Sequence, residues 1–159
     1  KYPNSALTFT GTVPWGDDLK NIRNNDGNRA TAVGTSGALT KVLVGYNYDM
    51  GTELPNVYTV TGIECRFEAA GSAGKEEAVV ITDPNSAISE NRSQNADIGR
   101  EDIYVRGGSN DLWGANSVSP SFIESSNFGI GCQFSIGFSS TSIQVDFYQT
   151  RIYYTKTLG

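Results

Sequence analysis

Residues 127–138 read Asn-Phe-Gly-Ile-Gly-Cys-Gln-Phe-Ser-Ile-Gly-Phe, and residues 142–154 read Ser-Ile-Gln-Val-Asp-Phe-Tyr-Gln-Thr-Arg-Ile-Tyr-Tyr. In the first stretch every second residue is apolar, namely Phe128, Ile130, Cys132, Phe134, Ile136 and Phe138. Because successive side chains of a strand point to opposite faces, this alternation predicts a strand with one apolar face. Such a face must be buried against another layer, so the stretch predicts a layered β fold.

The composition of the whole chain agrees with an all-β fold. The 159 residues include 18 Gly, 8 Tyr and 7 Phe but a single Met, a composition that favours strands and turns over helices. Further alternating stretches, separated by polar turns, predict roughly eight to ten strands. We therefore predict a single domain over residues 1–159. It is an antiparallel two-sheet β-sandwich, jelly-roll-like, with one short helical turn near residues 16–23.

Charge and hydropathy argue against two classes of partner. The formal net charge is -5 and the pI is about 4.6, and a negative chain without a basic stripe is a poor match for nucleic acid. No apolar stretch approaches the ~20 residues that span a bilayer, so we expect no membrane partner. The chain begins at Lys1 without Met, which we interpret as the start of a fragment or of a processed product.

The two cysteines are predicted to be core residues. Cys65 lies between Ile63 and Phe67 on an alternating face, and Cys132 lies on the face described above. Buried free thiols are the favoured interpretation. A disulfide across the sandwich core is the alternative.

The titratable residues favour a non-enzymatic protein. The chain has no histidine, which removes the usual nucleophile–base systems and the Cys/His zinc sites. Its adjacent carboxylates are Asp17-Asp18, Glu76-Glu77 and Glu101-Asp102. Neighbours on a strand point to opposite faces, so we interpret these pairs as solvated surface charge and predict no catalytic residues. Two carboxylates distant in sequence can still meet in space, which leaves a depolymerase as a third hypothesis.

Four oxygen-bearing residues near the start of the chain form a weak calcium motif. They are Asp17, Asp18, Asp26 and Asn28, and their side chains carry the hard donors that Ca²⁺ prefers. The alternating donor pattern of a calcium loop and its closing Glu are missing. A helix cap followed by a turn is therefore favoured over a cation site, and we expect no cofactor.

Four tyrosines are predicted to be outward aromatics on the β surface, namely Tyr2, Tyr58, Tyr104 and Tyr153. Exposed aromatic rings serve either as a platform for saccharides or as a subunit interface. The polar segment 83–111 is rich in Asn and Ser. It suits hydrogen-bonding recognition, and an untethered crossover is the equal alternative.

Two separated groups of residues resemble a β-sandwich module of tailed-bacteriophage virion proteins, which also occurs in prophage and bacterial surface proteins. The first group comprises Trp15, Asn21-Ile22, Asp26-Gly27, Ala30, Tyr46-Asn47-Tyr48, Leu54-Pro55 and Val60-Thr61-Gly62-Ile63-Glu64. The second comprises Leu112-Trp113-Gly114, Ser126-Asn127-Phe128-Gly129, Val145-Asp146 and Ile152-Tyr153-Tyr154-Thr155. The resemblance is weakest over residues 83–111.

This resemblance implies a non-enzymatic virion protein of the tail-fibre, spike, tail-tip or head-decoration type. Such a protein is made in the host cytoplasm and acts in the phage particle. Its expected partners are other virion subunits, with a homotrimer by analogy, and a host-surface glycan. The alternative is a carbohydrate-binding module of a secreted enzyme or surface protein.

Overall fold

The computed structural model describes residues 1–16, 19–139 and 141–156. Within these residues the chain forms ten strands, two 3-10 helices (Leu19–Ile22 and Met50–Thr52) and one α-helix, α1 (Pro120–Glu124). The strands are β1 (Ser5–Phe9), β2 (Trp15–Gly16), β3 (Ala30–Gly34), β4 (Val42–Tyr46), β5 (Tyr58–Gly71), β6 (Gly74–Thr82), β7 (Asp97–Ile98), β8 (Asp102–Gly108), β9 (Gly129–Ile136) and β10 (Thr141–Lys156).

The predicted all-β sandwich is confirmed. The strands form two five-stranded sheets, ordered β1-β4-β9-β6-β7 and β2-β3-β10-β5-β8, and all neighbouring strands in each sheet are antiparallel. Successive long strands alternate between the sheets, since β4, β6 and β9 belong to the first sheet and β3, β5, β8 and β10 to the second. The predicted helical turn is present as the 3-10 helix Leu19–Ile22.

The two strands predicted at the end of the chain lie at the centres of their sheets. The apolar side chains of β9, from Ile130 to Ile136, are buried as the alternation predicts. The prediction that Phe138 continues this face is wrong. The strand ends at Ile136, and the side chain of Phe138 is 66% exposed.

Aromatic rings join the two sheets in the core. Phe67 of β5 makes edge contacts with Phe134 of β9 and Tyr148 of β10, with ring centroids 6.1 and 6.3 Å apart. The hydroxyl of Tyr148 donates a 2.8 Å hydrogen bond to the carbonyl of Leu43 on the opposite sheet. This bond satisfies a polar group that would otherwise be costly to bury.

The cysteines are free and buried, as the favoured interpretation predicted. Burial raises the pKa of Cys65 to about 12 and also raises the pKa of Cys132. Burial in apolar surroundings therefore disfavours the thiolate form of both groups.

A bulge in β5 directs the inward side chains before and after it toward the same core. The register with β10 shifts between Tyr153 and Tyr154, opposite Val60 and Gly62 of β5. A Cβ at Gly62 would lie 2.2 Å from the carbonyl oxygen of Gly108, so only glycine fits here. Val60 and Ile63 are consequently both buried.

The polar segment after β6 covers the edge of that strand. Ser89 Oγ accepts a hydrogen bond from the N–H of Ile81 at 2.8 Å, and Asn91 Oδ1 accepts one from the N–H of Val79 at 2.9 Å. The Asn91 side-chain amide also donates to the carbonyl of Glu77 at 2.9 Å. These side chains take the place of a neighbouring strand, so the expectation of an untethered crossover is wrong for this part of the segment.

An ion pair between Arg92 and Asp111 joins the part of the segment that covers β6 to the end of the polar segment 83–111. The Arg92 guanidinium binds Asp111 through two contacts, 2.7 Å from Nε to Oδ2 and 2.9 Å from Nη2 to Oδ1. These bonds hold the pKa of Asp111 below its usual value. Bidentate geometry of this kind fixes orientation as well as distance.

Candidate functional site

The four predicted tyrosines do not form one platform. Tyr2 packs its ring edge-on against Phe147, and Tyr104 stacks on Phe67 with a centroid distance of 5.3 Å. Both rings are only partly exposed. They therefore contribute to packing on different parts of the sandwich.

Tyr58 is buried, with 5% of its surface exposed, so its predicted outward orientation is wrong. Its hydroxyl donates to Glu124 Oε1 at 2.9 Å. Burial is the main cause that raises the pKa of Tyr58, followed by the hydrogen bond to Glu124. The sequence contains a signal for this burial, because the bulge at Gly62 places Val60 in the core and Tyr58 is two residues before it.

Tyr153 lies beside a polar pocket formed along strands β5 and β10. Its hydroxyl donates to Glu64 Oε2 at 3.3 Å and accepts from Arg151 Nη1 at 3.3 Å. The pocket, called here the β5–β10 pocket, has a volume of about 360 Å³, and its polar lining residues are Lys1, Glu53, Glu64, Arg66, Gln149, Thr150 and Arg151. Its apolar wall includes Leu54, Ile152 and Tyr154.

Cross-strand pairing sets the arrangement of the pocket floor. Arg66 of β5 lies opposite Gln149 of β10, and Glu64 lies opposite Arg151. Side chains on one face of an antiparallel pair lie close enough to act on the same ligand. The pairing therefore places two guanidinium groups, one carboxylate and one amide in a single patch.

Four charged side chains of the β5–β10 pocket form two ion pairs, and the fifth, Arg66, belongs to neither pair. Lys1 Nζ is 3.7 Å from Glu53 Oε1, and Arg151 Nη1 is 4.0 Å from Glu64 Oε1. Among the residues that the structure describes, Arg66 has neither a hydrogen-bond partner nor an ion-pair partner for its guanidinium. The side chains of the pocket thus carry one unbalanced positive charge, in addition to the N-terminal ammonium of Lys1, which donates to the carbonyl of Thr150.

A second concavity is an apolar groove between the β6 edge and α1. Its volume is about 560 Å³, and its apolar lining residues are Ile81, Ile88, Leu112, Trp113, Val118 and Phe122. The Trp113 indole is itself buried and donates to the carbonyl of Ile63 at 2.8 Å. Ile88 is 53% exposed at its rim.

A cluster of carboxylates lies on the outer face beside β8. Arg29 Nη2 is 2.5 Å from Glu101 Oε2 and 3.7 Å from Glu68 Oε1. A hydrogen bond between the two carboxyl groups, reinforced by burial, raises the pKa of Glu68 to about 7, and the same bond together with Arg29 lowers the pKa of Glu101. The two carboxyl groups therefore titrate as a coupled pair, with the pKa of Glu68 raised and that of Glu101 lowered.

Two of the four residues of the calcium motif, Asp26 and Asn28, lie among the described residues. Asp17 and Asp18 lie outside the described residues. Asp26 Oδ1 accepts from the N–H of Asn28 at 3.0 Å, which confirms the predicted turn. Gly27 donates its N–H to Asp146 Oδ2 at 3.1 Å. Within residues 1–16, 19–139 and 141–156, no three His, Cys, Asp or Glu residues are placed to hold a metal ion.

The interpretation of Glu76 as surface charge is wrong. Its side chain is fully buried and binds Arg106 of the opposite sheet, with Arg106 Nε 2.9 Å from Glu76 Oε2 and Nη2 3.1 Å from Oε1. Glu76 Oε1 also accepts from Ser93 Oγ at 2.9 Å and from the N–H of Gln94 at 2.7 Å. Glu101 and Asp102 are exposed, as predicted.

No helix in the described part of the chain is long and apolar enough to cross a membrane.

Comparison of the chain with protein-family models, with curated proteins and with solved structures finds no match. The phage-module resemblance therefore rests on the residues given for it in the sequence.

Proposed function

We propose that the protein is a non-enzymatic structural or appendage protein of a phage virion, which mediates subunit assembly or attachment to a host surface. The sequence resemblance supplies the virion context. Several of its residues lie at framework contacts: Trp15 and Trp113 are buried, and Asp146 binds the turn at Gly27. Such contacts hold a scaffold together rather than carry out chemistry.

The observation that carries the assembly role is the edge strand β8. It is the last strand of the second sheet, and its outward residues Ile103 and Val105 are 41% and 42% exposed. Natural proteins usually protect such edges with charges, bulges or covering segments, as segment 83–99 does for β6. An edge with exposed apolar residues suits pairing with another subunit.

Light scattering after size-exclusion chromatography tests the assembly role. We expect an oligomer, and we expect the double replacement of Ile103 and Val105 by Thr to shift it toward monomer. Val57→Thr is the matched control, because Val57 is 60% exposed outside any strand. A wild-type chain that stays monomeric at high concentration contradicts assembly.

Immunoelectron microscopy tests the virion context. Antibodies raised against the purified protein should label phage particles from the source culture at a defined position on the head or tail. Signal confined to secreted, particle-free material would instead favour the carbohydrate-binding module.

The carbohydrate-binding module is favoured by one specific observation, the β5–β10 pocket with its polar side chains and aromatic wall. An isolated monomer that binds polysaccharide, with no label on particles, would support this alternative.

A further inference from the structure

We propose that the β5–β10 pocket binds a carboxylated saccharide, with Arg66 and Gln149 holding the carboxylate. This inference rests on the proposed attachment role and names the ligand class for it. It starts from two neighbouring side chains whose hydrogen-bonding groups have no partner among the described residues, although both side chains are partly buried.

Arg66 and Gln149 both bring hydrogen-bond donors to the lining of the pocket. A guanidinium carries five N–H donors and a glutamine amide carries two. Arg66 and Gln149 lie directly opposite each other in the β5–β10 register and both line the pocket. Their donors therefore converge on one region, where a planar acceptor such as a carboxylate can bind to two N–H groups at once.

The β5–β10 pocket also has an excess of positive charge. The pairs Lys1–Glu53 and Arg151–Glu64 are each neutral, which leaves Arg66 as the unbalanced side-chain charge of the pocket. The N-terminal ammonium of Lys1 adds to this excess, with the carbonyl of Thr150 as its acceptor. The chain as a whole has a net charge of -5, so this positive site is a local exception. A ligand with one negative group fits it better than a neutral one.

Other lining residues of the pocket suit the hydroxyl groups and the ring of a saccharide. The Glu64 and Glu53 carboxylates at the pocket are acceptors for hydroxyl groups. The ring of Tyr154 is 42% exposed on the wall and can pack against the apolar face of a sugar ring. A volume of about 360 Å³ is at the small end of ligand pockets. One acidic sugar unit, such as a uronic or sialic acid within a glycan, matches these features.

Titration of the ¹⁵N-labelled full chain with glucuronic acid, followed by NMR, tests the inference. Glucose serves as the neutral probe and inorganic phosphate as the anion without a sugar. We expect saturable shifts at the amides around Arg66 and Gln149 for glucuronic acid, with at least roughly tenfold weaker binding of glucose. Equal binding of glucose, or phosphate binding as tight as glucuronic acid, would overturn the proposed ligand class.

Variants test whether glucuronic acid binds in the β5–β10 pocket. Arg66→Gln should weaken glucuronic acid binding at least roughly tenfold. Gln149→Glu, as a separate variant, should weaken binding more than Arg66→Gln does, because the new carboxylate repels the carboxylate of the ligand. Arg100→Gln is the control, because Arg100 is exposed, lies outside the pocket and loses the same charge. If Arg66→Gln and Arg100→Gln bind alike, the inference fails. If antibodies label phage particles but the protein binds no saccharide, this inference is wrong and the proposed function is still supported.

Discussion

The edge of β6 and the outer face of β5 both carry polar side chains, but the two regions use them differently. Along the β6 edge, the side chains of Ser89 and Asn91 are occupied by hydrogen bonds to backbone groups of β6. On β5, Arg66 has no such partner for its guanidinium among the described residues. A polar side chain on the surface therefore indicates binding only where the fold leaves its hydrogen-bonding groups unsatisfied.

The largest effect is expected from Arg106→Leu. It leaves the fully buried Glu76 carboxylate without its cationic partner, and the free energy of unfolding should fall by about 3–5 kcal/mol. Urea denaturation followed by fluorescence measures this loss in the free energy of unfolding. The double variant Glu76→Met/Arg106→Leu should recover part of the loss, and a double variant less stable than Arg106→Leu would contradict the buried-pair account.

Asn91→Ala should have the next largest effect. The change leaves the N–H of Val79 and the carbonyl of Glu77 without the side chain that binds them. Loss of about 1–3 kcal/mol in the free energy of unfolding is expected, with faster hydrogen exchange at Val79. Asn110→Ala, on an exposed turn, is the control. Unchanged exchange at Val79 would show that segment 83–99 does not protect the β6 edge.

The coupled titration of Glu68 and Glu101 predicts a smaller, pH-dependent effect. The pKa of Glu68 in the folded protein, about 7, lies above its ordinary value. The stability that protonation of Glu68 contributes is therefore complete below the unfolded-state pKa of about 4.3 and lost as the pH rises through 7. Glu101→Gln should bring the pKa of Glu68 down and flatten the decline in stability, which NMR titration and denaturation at several pH values would detect. An unchanged pKa of Glu68 would contradict the coupling.

The smallest effect on stability is expected from Arg66→Gln. Because the fold does not use this guanidinium, the free energy of unfolding should change by no more than about 0.5 kcal/mol. Denaturation of this variant beside Arg106→Leu sharpens the comparison between the two arginines. A loss close to that of Arg106→Leu would mean that Arg66 is structural after all.

Much of the framework was predictable from local pattern. Period-two alternation identified β9 and β10, and Gly62 marked the bulge that keeps both halves of β5 in the core. The outward direction of Arg66 follows from the same alternation, because it lies between the buried residues Cys65 and Phe67. Its position opposite Gln149 was not predictable, since register depends on pairing with a strand distant in sequence.

The burial of Glu76 escaped prediction for a related reason. The inward residues Val79 and Ile81 place Glu76 on the opposite face if β6 is regular. A bulge between Glu76 and Ala78 shifts the register and turns the Glu76 side chain inward, opposite Phe134. No glycine marks this bulge, and the compensating Arg106 comes from the other sheet.

The alternation of strands between the sheets has a kinetic consequence. Among the described residues, β2 with β3 and β6 with β7 are the consecutive strands that pair, and no other two consecutive strands do so. The chain therefore has almost no local hairpin from which folding can start, and most pairings must close long loops before they become favourable. Refolding should be slow for a domain of this size, and β9, which joins β4 to β6 in the first sheet, is synthesised after the other four strands of that sheet.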